Sequence, residues 1–307
     1  MIADASLNVP NKKAKTSQEW KITFDQTQGL RTLVDVVCNI LTRVNFRINF
    51  DEKRDIHYLC IDSIDPQHVC MIQARLMCEK TENLCNQREA DFCIDSNILN
   101  LILKSIPSHY SLDISKHDDS ADLKINAYET LSNSHHTEFV LPTLVDDSET
   151  MQLTDMNYNY TIEIDLGMLR QIVKMSMQLR AQQLEFVVKE PQSRAAGVLR
   201  TTFTIASHGD ATQSHNFHSS TVTENEGDDG YVIRAATDST TSNPIENTNT
   251  VYRDAFSAQY LNFFLKSMER QIITMKLSQD KPLIVHYPLG ADKSYICFVL
   301  APKQADE

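Results

Sequence analysis

Four stretches of the chain repeat apolar residues three and four positions apart, the spacing that gives an α-helix one buried face. In residues 28–43, Leu30, Leu33, Val34, Val37 and Ile40 share a side and Arg31, Asp35 and Asn39 lie opposite. In residues 96–106, Leu99, Ile102, Leu103 and Ile106 oppose Asn97, Asn100 and Lys104. The pattern returns in residues 166–180, where Leu169, Ile172, Val173, Ser176 and Leu179 oppose Arg170, Lys174 and Gln178. In residues 257–270, Leu261, Phe264, Leu265 and Met268 oppose Gln259, Asn262 and Lys266. Between the first two helices, short β-branched and aromatic runs predict strands at 44–50, 58–61, 69–77 and 92–95, after an opening strand at 20–25. The polar run 79–91 reads as a loop. Pro107 stops the second helix, and strands at 110–115, 123–128 and 138–144 follow it.

The order then starts again. After an acidic stretch (VDDSETMQLTDMN), the chain reads as strand 160–164, helix 166–180, strands 184–188 and 199–205, and a Ser, Thr, Asn and acid-rich region 207–249 with room for two short strands. A strand, a helix and strands 272–277, 283–287 and 296–300 close it. This predicts an α+β fold of two similar domains, each of antiparallel sheets with two helices: residues 20–145 and 158–307, joined by a linker at 146–157. Residues 1–19 read as a flexible arm, whose Lys12, Lys13 and Lys15 form either a solvated tail or a nuclear signal.

Charge changes this picture from architecture to function. The chain carries a formal −12, yet the four helical windows hold eight Lys or Arg against Asp35 and Glu269 alone, a net of +6, which leaves −18 for everything else. A single amphipathic helix with a basic stripe is an ordinary solvated face. Four of them in an acidic protein imply that one surface meets a polyanion.

Other chemistry is sparse. At 307 residues and 41% hydrophobic content the chain can fill two cores. It lacks the run of about 18 apolar residues that a membrane span needs, and its start lacks the apolar core of a signal peptide, so we expect a soluble, non-secreted protein. Seven cysteines without CxxC spacing read as reduced thiols, among them Cys38, Cys60, Cys70 and Cys297 in apolar segments and Cys78 and Cys85 in a polar loop. Asn159-Tyr160-Thr161 matches a glycosylation sequon that a non-secreted chain does not use. There is no GxGxxG, GxxxxGK[ST] or HExxH. His135, His136, His215 and His218 fall in loop or edge-strand surroundings, and Asp146-Asp147 and Asp228-Asp229 in solvated acidic runs. The expectation is a non-enzyme without metal or cofactor; a hydrolase using the histidines is the competing class.

Several segments carry a resemblance. Residues 260–264 (YLNFF), 281–287 (KPLIVHY) and 300–303 (LAPK) closely resemble the C-terminal third of proliferating cell nuclear antigen, the eukaryotic DNA sliding clamp. Residues 63–69 (SIDPQHV) resemble its Ser-Met-Asp-Ser-Ser-His-Val turn, and Tyr158 and Gly167 match in identity and spacing. The resemblance runs from Trp20 to Glu307 and is weak between 206 and 249. It implies a closed ring of three two-domain subunits, with helices lining the hole and sheets outside. It also implies double-stranded DNA, a DNA polymerase, a clamp loader and other pocket-binding peptides as partners. Localisation would be the nucleus, or a cytoplasmic viral replication site. The alternative is a subunit of a heteromeric checkpoint-type clamp.

By position, the resemblance places Arg31, Lys104, Lys174 and Lys266 in the DNA lining; Arg170 shares that face, and Cys38 stands where the family has a lysine. It puts the partner-peptide pocket at Ile64, His68, Val69, Met151, Leu153, Pro282, Val299 and Ala301, with Val299 in place of a tyrosine and Thr154 in place of a linker proline. Phe139 takes the place of an interface tyrosine, and Lys189 that of a modifiable lysine. Edge strands 138–144 and 214–220 would then pair head to tail between subunits.

Overall fold

The computed structural model describes residues 19–84, 90–129, 136–145, 157–191, 201–224, 231–235, 248–266, 272–290 and 293–303. The N-terminal arm with Lys12, Lys13 and Lys15, and the linker residues Met151, Leu153 and Thr154, lie outside them, as do Cys85, His135, Asp146-Asp147 and Asp228-Asp229.

The first half runs β1 (Glu19–Phe24), α1 (Gln28–Val37), β2 (Arg43–Asp51), β3 (Ile56–Ile64), β4 (Cys70–Met77), β5 (Lys80–Glu82), β6 (Ala90–Asp95), α2 (Ser96–Ser105), β7 (Tyr110–His117), β8 (Asp122–Glu129) and β9 (His136–Pro142). The second half runs β10 (Tyr160–Asp165), α3 (Leu166–Gln178), β11 (Gln183–Pro191), β12 (Thr202–His208), β13 (Thr212–Glu224), β14 (Tyr231–Ala235), β15 (Thr248–Ser257), α4 (Ala258–Leu265), β16 (Ile272–Leu277), β17 (Leu283–Pro288) and β18 (Tyr295–Leu300). Element for element, the halves have the same order. They also share a strand order: β5-β1-β7-β8-β9 in the first corresponds to β14-β10-β16-β17-β18 in the second, and β6-β2-β3-β4 to β15-β11-β12-β13, except that β5 runs antiparallel to β1 whereas β14 runs parallel to β10 and also pairs with β13.

One pairing ties the halves together. β18 lies antiparallel to β4, with Val299 opposite Met71 and Phe298 opposite Ile72, so a single sheet crosses the domain joint. The corresponding strands in the other pairing are β9 and the first part of β13. β9 pairs only with β8. Residues 212–218 of β13 pair with β12 on one side, and its pairing with β14 begins at Ser219. Among the described residues, two strand edges therefore stand open, that of β9 and that of the first part of β13.

Local chemistry explains the helices. Asp95 caps α2 by accepting from the backbone N–H groups of Asn97 (2.8 Å) and Ile98 (3.1 Å), and Asp165 caps α3 by accepting from that of Met168 (2.9 Å). The helices bury their apolar sides on the sheets: Phe264 of α4 stacks on Phe298 of β18 at 4.1 Å between ring centres. Gly209 allows the β12–β13 turn to cross the end of α3, because a Cβ there would stand 2.0 Å from the Leu179 carbonyl oxygen.

Four differences from the sequence reading have physical causes. α1 ends at Val37, and residues 38–41 continue only as a tight turn, with Asn39 N–H donating to Val36 O and Ile40 N–H to Val37 O. β5 occupies part of the expected loop 79–91; three residues are too few to display a period. β13 extends for 13 residues through a polar region, held by its backbone ladder to β12 and β14 and by Phe217 in the core. Cys78, expected in a polar loop, is buried, and burial pushes its thiol far above the ordinary range.

Candidate nucleic-acid interface

Each half pairs its two helices through one arginine. The Arg31 guanidinium donates from Nε (3.1 Å) and Nη2 (2.7 Å) to the carbonyl oxygen of Leu103, and also to that of Ile106, at the C-terminal end of α2. Arg170 does the same in the second half, donating from Nε to Leu265 O at 2.7 Å at the end of α4. These carbonyls lie past the regular helical ladder, Leu103 O accepting besides from the Ile106 N–H at 3.4 Å, and a cation there also meets the negative end of the helix dipole. The lining assignment gave Arg31 and Arg170 to DNA phosphates; the structure turns the named nitrogens to backbone carbonyls.

That shared contact sets the correspondence between halves: Arg31 with Arg170, Asp35 with Lys174, Leu103 with Leu265, and Lys104 with Lys266. Lys104, Lys174 and Lys266 are all exposed. Lys104 Nζ lies 2.5 Å from Asp35 Oδ1, which also accepts from Asn100 Nδ2 at 3.2 Å. Lys266 crosses the joint to within 3.4 Å of Asn39 Oδ1 in the turn after α1. Cys38 lies among these groups. Its thiol is pushed up by burial and by Asp35, while Lys104, Asn100 and Lys266 pull it back. Asn100, expected on the polar stripe, is buried against α1, and Ile98 and Leu101 take the exposed side at 48% and 70%. The helical period alone could not reveal this, because α2 packs on both α1 and its own sheet.

On the opposite face of the joined sheet lies an apolar row. Alternation along β18 sends Ile296, Phe298 and Leu300 to the helix-covered core, and Cys297 and Val299 to the other side. Across four strands, Ile64, Met71, Val299 and Ile284 stand opposite one another, joined by Cys297, Tyr158 and Tyr295. The Tyr158 hydroxyl donates to Pro282 O at 3.0 Å. Of the expected pocket residues, Ile64 and Val299 are in this cluster and Pro282 borders it. Val69 instead packs on the main core, and Ala301 contributes its backbone N–H to Val69 O at 2.9 Å. His68 is exposed on the 65–70 turn with φ 57°, a left-handed conformation. Met151 and Leu153 lie outside the described residues. Met71, Ile284 and Tyr295 were missed; every second residue of a strand already assigned to the core was the available signal.

Asp65 builds that turn. Its carboxylate accepts from the backbone N–H groups of Gln67 (3.1 Å), Val69 (2.8 Å) and Cys70 (2.6 Å), and from the Tyr260 hydroxyl of α4 (2.5 Å). The 65–70 turn is thus fastened to α4. Burial, with Asp65 alongside, holds the Tyr260 hydroxyl well above its ordinary pKa.

At the open edges, Phe139 packs partly on this chain's own core, while its neighbour Val140 is 55% exposed. Among the described residues no three His, Cys, Asp or Glu side chains are grouped to hold a metal, and no helix is long and apolar enough to cross a membrane.

No family model matches the chain. Solved structures do. PCNA from Thermococcus kodakaraensis aligns with a TM-score of 0.67 at 17% identity, over 92% of this chain and 100% of that one. Proliferating Cellular Nuclear Antigen from Entamoeba histolytica aligns with a TM-score of 0.69 at 14% identity, over 93% and 99%. Near-complete coverage of both chains, together with the twofold repeat and the two opposed faces, gives this protein the fold of the PCNA-type DNA clamp.

Proposed function

We propose that three copies of this chain close into a ring that encircles duplex DNA, slides without reading sequence, and recruits replication proteins through the outer apolar row. The observation that carries the reading is the internal joint. Inside one chain, β18 pairs with β4 and α4 contacts α1. The same joint, repeated between chains, would bring β9 against β13 and α2 against α3. Exposure supports it: Val36 of α1 is fully buried, whereas its counterpart Met175 on α3 is 39% exposed, and Met177 is 38% exposed. Ile98 and Leu101 are exposed, while their counterparts Tyr260 and Phe263 pack on the core. Apolar side chains left in water at both unpartnered positions, beside two open strand edges, fit a heterologous contact that closes on itself.

Lysines on helix faces suit such a ring, since they reach phosphates and carry no base readout. The role is holding and recruiting, not catalysis. Light scattering tests the assembly: a mass of about 105 kDa, three times 35.0 kDa, is expected, falling to 35.0 kDa in Leu101→Asp with the fold retained. A wild type that stays at 35.0 kDa contradicts self-closure and favours the heteromeric clamp.

A further inference from the structure

We propose that Asp35 masks Lys104, so that the second domain carries the DNA contact and Asp35 sets how tightly the ring holds DNA. This rests on the clamp reading and concerns which residues do the holding. The two corresponding pairs of helix positions are filled differently. In the second half they are Lys174 and Lys266, two exposed lysines; in the first they are Asp35 and Lys104, in contact at 2.5 Å. The ammonium of Lys104 therefore faces a carboxylate that Asn100 also holds in place from α2 at 3.2 Å. A phosphate approaching Lys104 must displace Asp35 or accept a negative neighbour, and either cancels most of the gain from that lysine. The groups around the pair are Cys38, Asn39, Asn100 and Lys266. Cys38 feels both lysines and Asp35. Around a ring of three, charged and neutralised stations would alternate, with Asp35 limiting total grip.

Asp35→Asn keeps an acceptor for Asn100 and frees Lys104. Binding to a linear fluorescent duplex of arbitrary sequence, followed across a salt series, should tighten by roughly fivefold to tenfold near 0.1 M salt, and its salt slope should steepen by about one unit. Lys104→Ala should remove the gain in the Asp35→Asn background and return binding to about the wild-type level, which tests the pair from its other member. Lys174→Ala should weaken wild-type binding. If Asp35→Asn binds as the wild type does, or Lys104→Ala leaves the gain of Asp35→Asn in place, the masking is wrong while the DNA reading stands. If Lys174→Ala also leaves binding and slope unchanged, the lining itself is refuted and the masking with it.

Discussion

Ile64 sits at the end of β3 with its side chain against Met71 and only half covered, on a face of the sheet that the helices do not reach. Most of the row is already buried, Met71, Tyr158, Ile284, Cys297 and Val299 among it, so half-buried Ile64 and Tyr295 are the apolar surface it offers, and the ordered turn beside it gives a fixed rim. Asp65 fixes that turn with three backbone hydrogen bonds, so this buried carboxylate serves the shape of the site and contributes almost no surface. A short peptide carrying a glutamine, an aliphatic residue and two aromatics should bind at micromolar strength, about 8 kcal/mol. Ile64→Asp should abolish that binding while leaving the ring mass unchanged, because Ile64 is remote from both open edges. A calorimetric titration giving equal affinity for the two proteins would place recruitment elsewhere.

The helix pair is the unit at the next scale, and its arginine shows what sequence could and could not reveal. Apolar spacing marked all four helices and the order of the strands between them, since amphipathic faces and alternation are local properties of the chain. It marked Arg31 and Arg170 as polar-stripe residues and went no further, because the carbonyls they meet belong to helices 72 and 95 residues away. Asn100 was misplaced for the same reason: whether a polar residue on α2 faces solvent or α1 depends on the neighbour. β5 and the polar half of β13 left no periodic trace. If the arginines hold helix pairs together, Arg31→Met should cost about 1.5 to 3 kcal/mol of stability, the range for hydrogen bonds to a charged group, and Arg170→Met a comparable amount. Urea unfolding measures this. Both variants should alter the salt slope of DNA binding less than Lys174→Ala does; stability intact with the slope reduced would make them phosphate ligands instead.

At the scale of the whole molecule, the twofold repeat was legible because the element order restarts after an acidic stretch, whereas the edge strands 138–144 and 214–220 came with the resemblance and not from the pattern. The register between copies was not legible, since it depends on how the halves correspond strand by strand. The structure supplies it. Val140 corresponds to Val299 through their matched partners Lys124 on β8 and Ile284 on β17, and Glu138 likewise to Cys297. Thr212 corresponds to Met71 and Ser214 to Gln73 through β12 and β3. Because Val299 faces Met71 and Cys297 faces Gln73 inside the chain, Val140 should face Thr212, and Glu138 should face Ser214, on the next copy. The most direct test is therefore a double variant, Glu138→Cys with Ser214→Cys, treated with a short thiol-to-thiol crosslinker and run under denaturing conditions. Ring closure predicts covalent products that end at three chains, about 105 kDa from 35.0 kDa each, with neither single variant forming them. Chains that remain separate, or a ladder that continues past three, would contradict a closed ring built through these edges.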